Sequence, residues 1–192
     1  MRHAALALIG VMGFGGVCVA SPRVWDEASG GNGHAYDVIV CPSGISWDGA
    51  RVIAQMLGGD LAAPETDAEN VFIFSIAAGV EGAWRTYPLG RGRTVTLGPW
   101  LGGLQHEGGR EPSGGWAWVS GVDIAGRAWW APHEPNDRPV DGSNENRVCY
   151  IGMGDKPSPF WNDARAMPTG TGGEPGIRVT AFVVEYGPEK KH

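Results

Sequence analysis

Cysteine and basic residues are both scarce in this chain of 192 residues. Only three cysteines occur, and none stands at zinc-ligand spacing from another cysteine or a histidine, so a structural zinc site is not indicated. Lysine and arginine number 15 against 21 acidic residues, for a formal net charge of -6, and they form no basic patch. A nucleic-acid partner is therefore not expected.

A long hydrophobic run is also lacking. The longest apolar stretch, residues 4–19, is broken by four glycines, whereas a membrane-spanning helix needs about 20 mostly apolar residues. No membrane span is expected. Met1-Arg2, a short apolar core and Ala20 before Ser21-Pro22 are instead typical of a secretory signal peptide. We predict that residues 1–20 are removed and that the mature protein is secreted or extracytoplasmic.

Cys41 and Cys149 are the cysteines that remain after this cleavage. An exported chain can oxidise such a pair. Closing a loop of this length would stabilise the fold by about 4–5 kcal/mol in the chain-entropy model. The sequence leaves open whether the two form a disulfide.

The remaining chain has the length and composition of one loop-rich domain. Hydrophobic residues make up 42%, with 9 tryptophans and 32 glycines, which is too apolar for disorder and rich in turn formers. We predict a flexible leader at residues 21–34 because of its glycines, one domain at residues 35–187, and a charged tail at residues 188–192.

Sequence patterns predict two helices followed by strands. Ser46 is a suitable N-cap for an amphipathic helix that stops at Gly58-Gly59. Thr66 and Glu69 form a capping box at the start of a second helix. Short apolar runs further on alternate with Gly, Pro and Asp clusters and indicate strands. The expected strands are residues 36–40, 100–101, 116–119, 148–151 and 180–186, the last returning beside the first. This order describes an α+β domain.

One long segment, residues 131–146, fits neither a helix nor a strand. A long loop without secondary structure inside a compact domain is usually functional. Calcium takes six to eight oxygen ligands from carboxylates, amides and carbonyls, and this segment offers them in excess. Its oxygen-bearing side chains include Glu134, Asn136, Asp137, Asp141, Asn144, Glu145 and Asn146. A solvated acidic loop without a ligand is the alternative.

Several motifs stand in the order and spacing of one known family. They are LGGDL at residues 57–61, WLGG at 100–103, WAW at 116–118, EPN at 134–136 and WND at 161–163. Over residues 36–186 the chain resembles the C-type lectin-like domains. The resemblance implies two helices packed on small antiparallel sheets, with a long calcium-binding loop.

In lectins of this family, the principal calcium is held by the EPN glutamate and asparagine, a downstream glutamate, and the asparagine and aspartate of WND. The resemblance maps these ligands to Glu134, Asn136, Glu145, Asn162 and Asp163. With the Asp163 main-chain carbonyl they supply six oxygens, which leaves room for two vicinal sugar hydroxyls. The EPN letters imply mannose, N-acetylglucosamine or fucose-type sugars and a cis Glu134-Pro135 peptide.

The chain departs from the family pattern around this loop. The positions of the two usual disulfides fall at Ala54 with Val184 and at about Arg147 with Ala166, so neither bridge can form. Apolar packing can replace the first bridge, whereas no substitute for the second is evident in the sequence. The loop before Glu145 is also longer than in simple mannose-binding members, which would shift that ligand.

The leading hypothesis is calcium-dependent binding of a carbohydrate or glycoconjugate, without chemical change to it. A second hypothesis keeps the fold and the calcium but assigns a protein partner or a structural role at a surface. An enzyme is not expected. A glycosidase that used Glu134 with Asp163 or Glu145 would need one protonated carboxyl, whereas bound calcium would hold all three ionised.

Overall fold

Two helices pack against opposite faces of a mixed sheet in the computed structural model of the protein. The structure describes residues 21–124, 129–138, 143–166 and 177–187. The predicted signal peptide, residues 1–20, and the predicted tail, residues 188–192, lie outside the described residues. Within the described ranges, no helix is long and apolar enough to cross a membrane.

The elements follow the α+β order expected from the sequence. In chain order they are β1 (Arg23–Val24), β2 (Ala35–Val40), α1 (Trp47–Met56), β3 (Asp60–Leu61), α2 (Asp67–Ala77), β4 (Arg85–Gly90), β5 (Arg93–Gln105), β6 (Trp116–Trp118), β7 (Arg147–Met153), β8 (Phe160–Ala164) and β9 (Ala181–Tyr186). The main path through the sheet runs β1, β2, β9, β5, β7 and β8.

Both helices begin at the caps that the sequence predicts. Ser46 Oγ accepts a hydrogen bond from the Gly49 amide at 3.1 Å, and Thr66 Oγ1 accepts one from the Glu69 amide at 3.1 Å. The Glu69 carboxylate, however, accepts from the amide of Glu65 at 2.8 Å, one residue before the expected partner. These side chains satisfy amides that the first helical turn leaves unpaired.

The last strand returns beside the first long strand, as predicted. All six residues of β2 pair antiparallel with β9. β5 runs parallel to β9 at Trp100, and β7 and β8 follow on its other side. This order places β8, which carries Asn162 and Asp163, beside β7 at the end of the path.

The sequence does not predict the hairpin of β4 and β5. β4 is mostly exposed and contains Pro88, a residue that usually argues against a strand. Proline is tolerated here because β4 pairs with β5 alone in the described part of the sheet, so no ladder hydrogen bond is lost on its outer side. The hairpin lengthens β5 to 13 residues, far beyond the short strand expected at Trp100.

Tryptophan rings build the core on both faces of the sheet. Trp116, Trp118 and Trp161 are buried in the cluster that α2 covers, and the last two rings meet edge to face with centroids 5.0 Å apart. Trp47 and Trp100 are buried in the cluster that α1 covers. These five rings therefore serve packing and do not form an exposed surface for stacking.

The amino-terminal segment, residues 21–34, is not the flexible leader expected from its glycines. β1 pairs with β2, and the Trp25 ring stacks on Phe72 with centroids 5.5 Å apart. A Cβ at Gly31 would lie 2.3 Å from the Trp25 carbonyl oxygen. Glycine here permits close packing of the chain on itself. The glycines of this segment therefore do not indicate flexibility.

Hydrogen bonds to buried carboxylates fasten this segment to the domain. His34 Nδ1 lies 2.5 Å from Glu185 Oε1, and Asn32 Nδ2 donates to Glu69 Oε1 at 2.9 Å. The ligand-type atoms of His34, Glu69 and Glu185 lie within 4.8 Å of one another. Each of these carboxylate oxygens already has a protein hydrogen-bond partner, among them the Tyr36 hydroxyl. We therefore interpret the group as a structural network.

Cys41 and Cys149 are free thiols in the structure. The first family disulfide is replaced as expected, because Ala54 and Val184 are both fully buried in the same apolar cluster. Apolar burial of both residues thus stands in place of the bridge.

Trp47 links the two positions at which the second disulfide would stand. Its amide donates to the Ala166 carbonyl at 2.8 Å, and its ring centroid lies 4.7 Å from Arg147 Cζ. Arg147 also donates to the Asn146 carbonyl at 3.0 Å and lies 3.6 Å from the Asp48 carboxylate. A cation–π contact thus secures the end of the loop, a substitute that the sequence did not reveal.

We predict that Arg147→Met lowers the free energy of unfolding by about 1–2 kcal/mol. The variant loses the cation–π contact and the hydrogen bond to the Asn146 carbonyl. Arg147 Nε is buried without a partner, so its removal offsets part of the lost stability. Urea unfolding followed by fluorescence measures the change. Arg93→Met, at an exposed position of β5, should change stability by less than about 0.5 kcal/mol. Equal losses of stability in the two variants would contradict the role of Arg147 in securing the end of the loop.

Candidate functional site

Both ends of the long polar loop are attached to β8, the strand that carries WND. At the start, the Trp161 amide donates to the Trp129 carbonyl at 2.7 Å, and Ala131 donates to the Trp161 carbonyl at 2.9 Å. At the end, the chain enters β7, which pairs with β8 in the register Val148↔Asp163. The loop therefore leaves and rejoins the sheet beside the WND residues.

Asp163 is the buried anchor of this site. The residue is fully buried, and its Oδ2 accepts hydrogen bonds from the amides of Asn136 at 2.9 Å and Asp137 at 2.7 Å. The Glu134-Pro135 peptide just before them is cis, as the resemblance implies. Asp163 Oδ1 is buried and has no hydrogen-bond partner.

The other four residues of the predicted set line one cavity of about 270 Å³. They are Glu134, Asn136, Glu145 and Asn162. Asn136 Nδ2 donates to Glu134 Oε2, and Asn162 Nδ2 donates to the main-chain carbonyl of Asp163. Asn136 Oδ1 is buried and, like Asp163 Oδ1, lacks a partner. The structure thus brings all five predicted residues together.

Glu145 reaches the site despite the longer loop before it. Its Oε2 accepts from the Arg138 amide at 3.1 Å, and its own amide donates to Asp137 Oδ1 at 2.9 Å. Asp137 has a φ of 45°, a left-handed conformation that aspartate adopts more readily than most residues. Asp137 therefore braces the two sides of the loop. Its position next to EPN and its tolerance of turns are the signals that point to this role.

Burial and mutual repulsion raise the pKa of the three carboxyl groups. Burial first, then contact with Asp163 and the charge of Glu145, raise the pKa of Glu134 to about 8. Burial and the charge of Asp163 raise the pKa of Glu145 to about 7. Burial also raises the pKa of Asp163 itself. A cation placed among these groups would offset the repulsion and favour their ionised forms.

Cys149 lies under the site and is not among the predicted residues. β7 pairs it with Asn162 of β8. Burial, then the charges of Glu145 and Asp163, raise the pKa of the Cys149 thiol well above its usual range. The thiol stays protonated and packs as a small apolar group in the floor of the site.

The donor set fits a hard cation. Its members are carboxylate and amide side chains, which are the ligands that calcium prefers. Two of their oxygens, Asn136 Oδ1 and Asp163 Oδ1, are buried without a partner. A buried polar atom in this state is costly unless an ion, a water molecule or a ligand completes its contacts.

No protein-family model matches the chain, and no curated protein matches it in sequence. Solved structures are nevertheless similar to it. The carbohydrate-recognition domain of cow CD23, studied in the presence of a GlcNAc2Man3 oligosaccharide, has 20% identity and a TM-score of 0.52, over 80% of this chain and 87% of that one. The Kupffer cell C-type lectin receptor Clec4f reaches a TM-score of 0.56 with 16% identity, over 89% of this chain and 85% of that one.

A calcium-independent type II antifreeze protein is also similar, with a TM-score of 0.54 and 18% identity over 90% of this chain and 97% of that one. The neighbours therefore include lectin domains and an antifreeze protein, and the likeness by itself establishes the fold. The two helices and the pairing of β2 with β9 agree with it. The protein folds as a C-type lectin-like domain.

Proposed function

We propose that this protein is a secreted lectin that binds carbohydrate through a calcium ion. The observation that carries the proposal is the convergence of five oxygen-bearing side chains, four of which line one cavity, with two buried oxygens left unpartnered. Calcium coordination would complete the contacts of these oxygens. The residues that would hold the ion are Glu134, Asn136, Glu145, Asn162 and Asp163.

Bound calcium would supply positive charge and open coordination positions for sugar hydroxyls. The chain's own residues do the rest of the recognition. Carboxylate oxygens accept hydrogen bonds from hydroxyls, and amide NH2 groups donate to them. Glu134 with Asn136, and Glu145 with Asn162, each offer one acceptor and one donor. Each of two vicinal sugar hydroxyls could therefore donate to one glutamate and accept from the asparagine beside it.

The EPN letters favour mannose, N-acetylglucosamine or fucose-type sugars over galactose. The structure of cow CD23 in the presence of a GlcNAc2Man3 oligosaccharide supports the same class. Small polar sites of this kind bind single sugars weakly, so high avidity requires several copies of the protein or a multivalent glycan.

A protein-binding or structural surface role is the second candidate function. The similarity to a calcium-independent antifreeze protein favours it, because this fold also occurs where no calcium is needed. Under this alternative, calcium would only order the loop and no sugar would bind.

A glycosidase mechanism is not supported, although a raised pKa at Glu134 would suit a general acid. The proposed calcium ion would hold Glu134, Glu145 and Asp163 in their ionised forms. A glycosidase needs one of its paired carboxyls protonated, because that group acts as the general acid. We therefore propose binding without chemical change to the ligand.

Calcium at about one hundred times its dissociation constant should stabilise the fold by about 2.7 kcal/mol, which corresponds to about 5–10 °C in melting temperature. Glu134→Gln and Asn162→Ala should each abolish the shift, since each removes a ligand. Glu81→Gln, at an exposed turn position away from the cavity, should preserve it. Calorimetric melts with calcium and with chelator measure the shifts. A shift that survives both site substitutions would place the metal elsewhere.

On a glycan array, the protein should bind mannose-type glycans in calcium and lose this signal in chelator. Galactose-type glycans should give no calcium-dependent signal, because the motif is EPN. Asn162→Ala should abolish binding and Glu81→Gln should retain it. Calcium-dependent stabilisation without any glycan signal would refute the lectin function and favour the second candidate.

Calcium affinity should increase by more than about tenfold between pH 6 and pH 8, because the ion must displace protons. The pKa of Glu145 is raised to about 7 and that of Glu134 to about 8, so both carboxyls are mostly protonated at pH 6. Titration calorimetry in two buffers of different ionisation enthalpy measures the affinity and the protons released. A constant affinity with no proton release would contradict the raised values.

The metal-free protein should show the opposite trend in stability. Protonated Glu134 and Glu145 stabilise the fold fully below about pH 4.5, the usual value for glutamate. This contribution is lost as the pH rises through about 7 and about 8. In chelator, Glu134 and Glu145 should therefore make the protein less stable at pH 8 than at pH 6, as thermal melts would measure. This difference between the two pH values should be smaller in Glu134→Gln.

A further inference from the structure

The cavity at the candidate calcium site has two chemically different ends. One end is polar and carries the Glu134, Asn136, Glu145 and Asn162 side chains. Arg138 and Arg165 also line the cavity, and both lie near Glu145 at this polar end. Among the described residues, the wall that leads away from this end is mainly apolar. It includes Leu97, Trp100, Ile151 and Val179. A ligand that filled the whole cavity would therefore need a polar head and an apolar extension.

The β4–β5 hairpin creates the apolar end. β5 pairs with β7 in the register Leu97↔Ile151 and Val95↔Met153. Alternate residues of a strand share a face, so Cys149, Ile151 and Met153 mark one line along β7. Cys149 lies under Asn162, and Met153 lies about 13 Å further along the strand. The groove thus begins at a candidate calcium ligand and continues for the length of several methylene groups.

The far end of the groove opens among exposed aliphatic side chains. Leu89 is 48% exposed, Met153 60% and Ile177 40%, and all three line the same cavity. Apolar side chains exposed together in a concave surface are typical of a binding site. The volume of about 270 Å³ is slightly below the range of about 300–1,000 Å³ that holds drug-sized ligands, and it suits one short chain beside a sugar.

We propose that the ligand is an amphiphilic glycoconjugate, whose sugar lies at the calcium site and whose apolar chain lies in the groove between the polar loop and the β4–β5 hairpin. This inference rests on the proposed lectin function and names the class of its ligand. The sugar selects the polar end, and the chain adds affinity through burial against Leu97 and Ile151. A free sugar would fill only part of the cavity.

Titration calorimetry with methyl, hexyl and octyl α-mannosides tests the proposal, with calcium and with chelator, at concentrations below micelle formation. Full burial of one methylene is worth about fourfold in affinity. The octyl compound should therefore bind at least about tenfold more tightly than the methyl compound, and chelator should weaken both.

Met153→Gln should reduce the advantage of the octyl chain to about threefold or less and leave methyl mannoside affinity unchanged. Met56→Gln is the matched control, because Met56 is also exposed, at 81%, and does not line the cavity. It should change neither affinity. Leu89 lies at the same exposed end of the groove, and we expect Leu89→Gln to have the same effect as Met153→Gln. It provides a second variant if one of the two folds poorly.

Equal affinity for methyl and octyl mannosides would overturn this inference and leave the lectin function standing. Octyl binding that persists fully in chelator would also overturn it, since the chain would then bind without the sugar. Concentration-dependent self-association that Met153→Gln removes would show that a second copy of the chain covers the groove. Absence of binding to every mannoside would instead overturn the lectin function, and this inference with it.

Discussion

The buried carboxylate of Asp163 is the interaction on which the site depends. It belongs to β8, which is paired with β7, and one of its oxygens holds the amides of Asn136 and Asp137. A residue of the sheet therefore positions the EPN side of the loop, and Asp137 links that side to Glu145. The second oxygen of Asp163 has no partner. The group that organises the loop thus also creates the need for a positive charge beside it.

The rest of the domain supports this arrangement while both cysteines of the described residues, Cys41 and Cys149, are free thiols. The contact of Arg147 with Trp47 secures the end of the loop, and Ala54 of α1 and Val184 of β9 are buried in one apolar cluster. A site on a loop works when a rigid scaffold fixes its ends. The β4–β5 hairpin adds to this scaffold, because its apolar side chains extend one wall of the cavity.

The sequence predicts the parts of the fold that depend on local chemistry. Ser46 and Thr66 mark helix starts because a capping side chain acts within three residues. The five site residues lie on two separate segments, residues 134–145 and 162–163, and only the family resemblance brings these segments together. Arg147 on Trp47 and the edge position of Pro88 depend on contacts between distant segments, which no local pattern contains. The expected flexibility around Gly31 is wrong, because glycine occurs both in flexible segments and where two backbones pack closely.

A crystal structure grown with calcium tests the central claim most directly. One ion should lie among Glu134, Asn136, Glu145, Asn162 and Asp163, with six to eight oxygens at about 2.3–2.6 Å. Asn136 Oδ1 and Asp163 Oδ1, which have no hydrogen-bond partner in the present structure, should be among its ligands. A site that holds no ion, at calcium concentrations that stabilise the protein, would contradict the calcium-dependent lectin proposed for this fold.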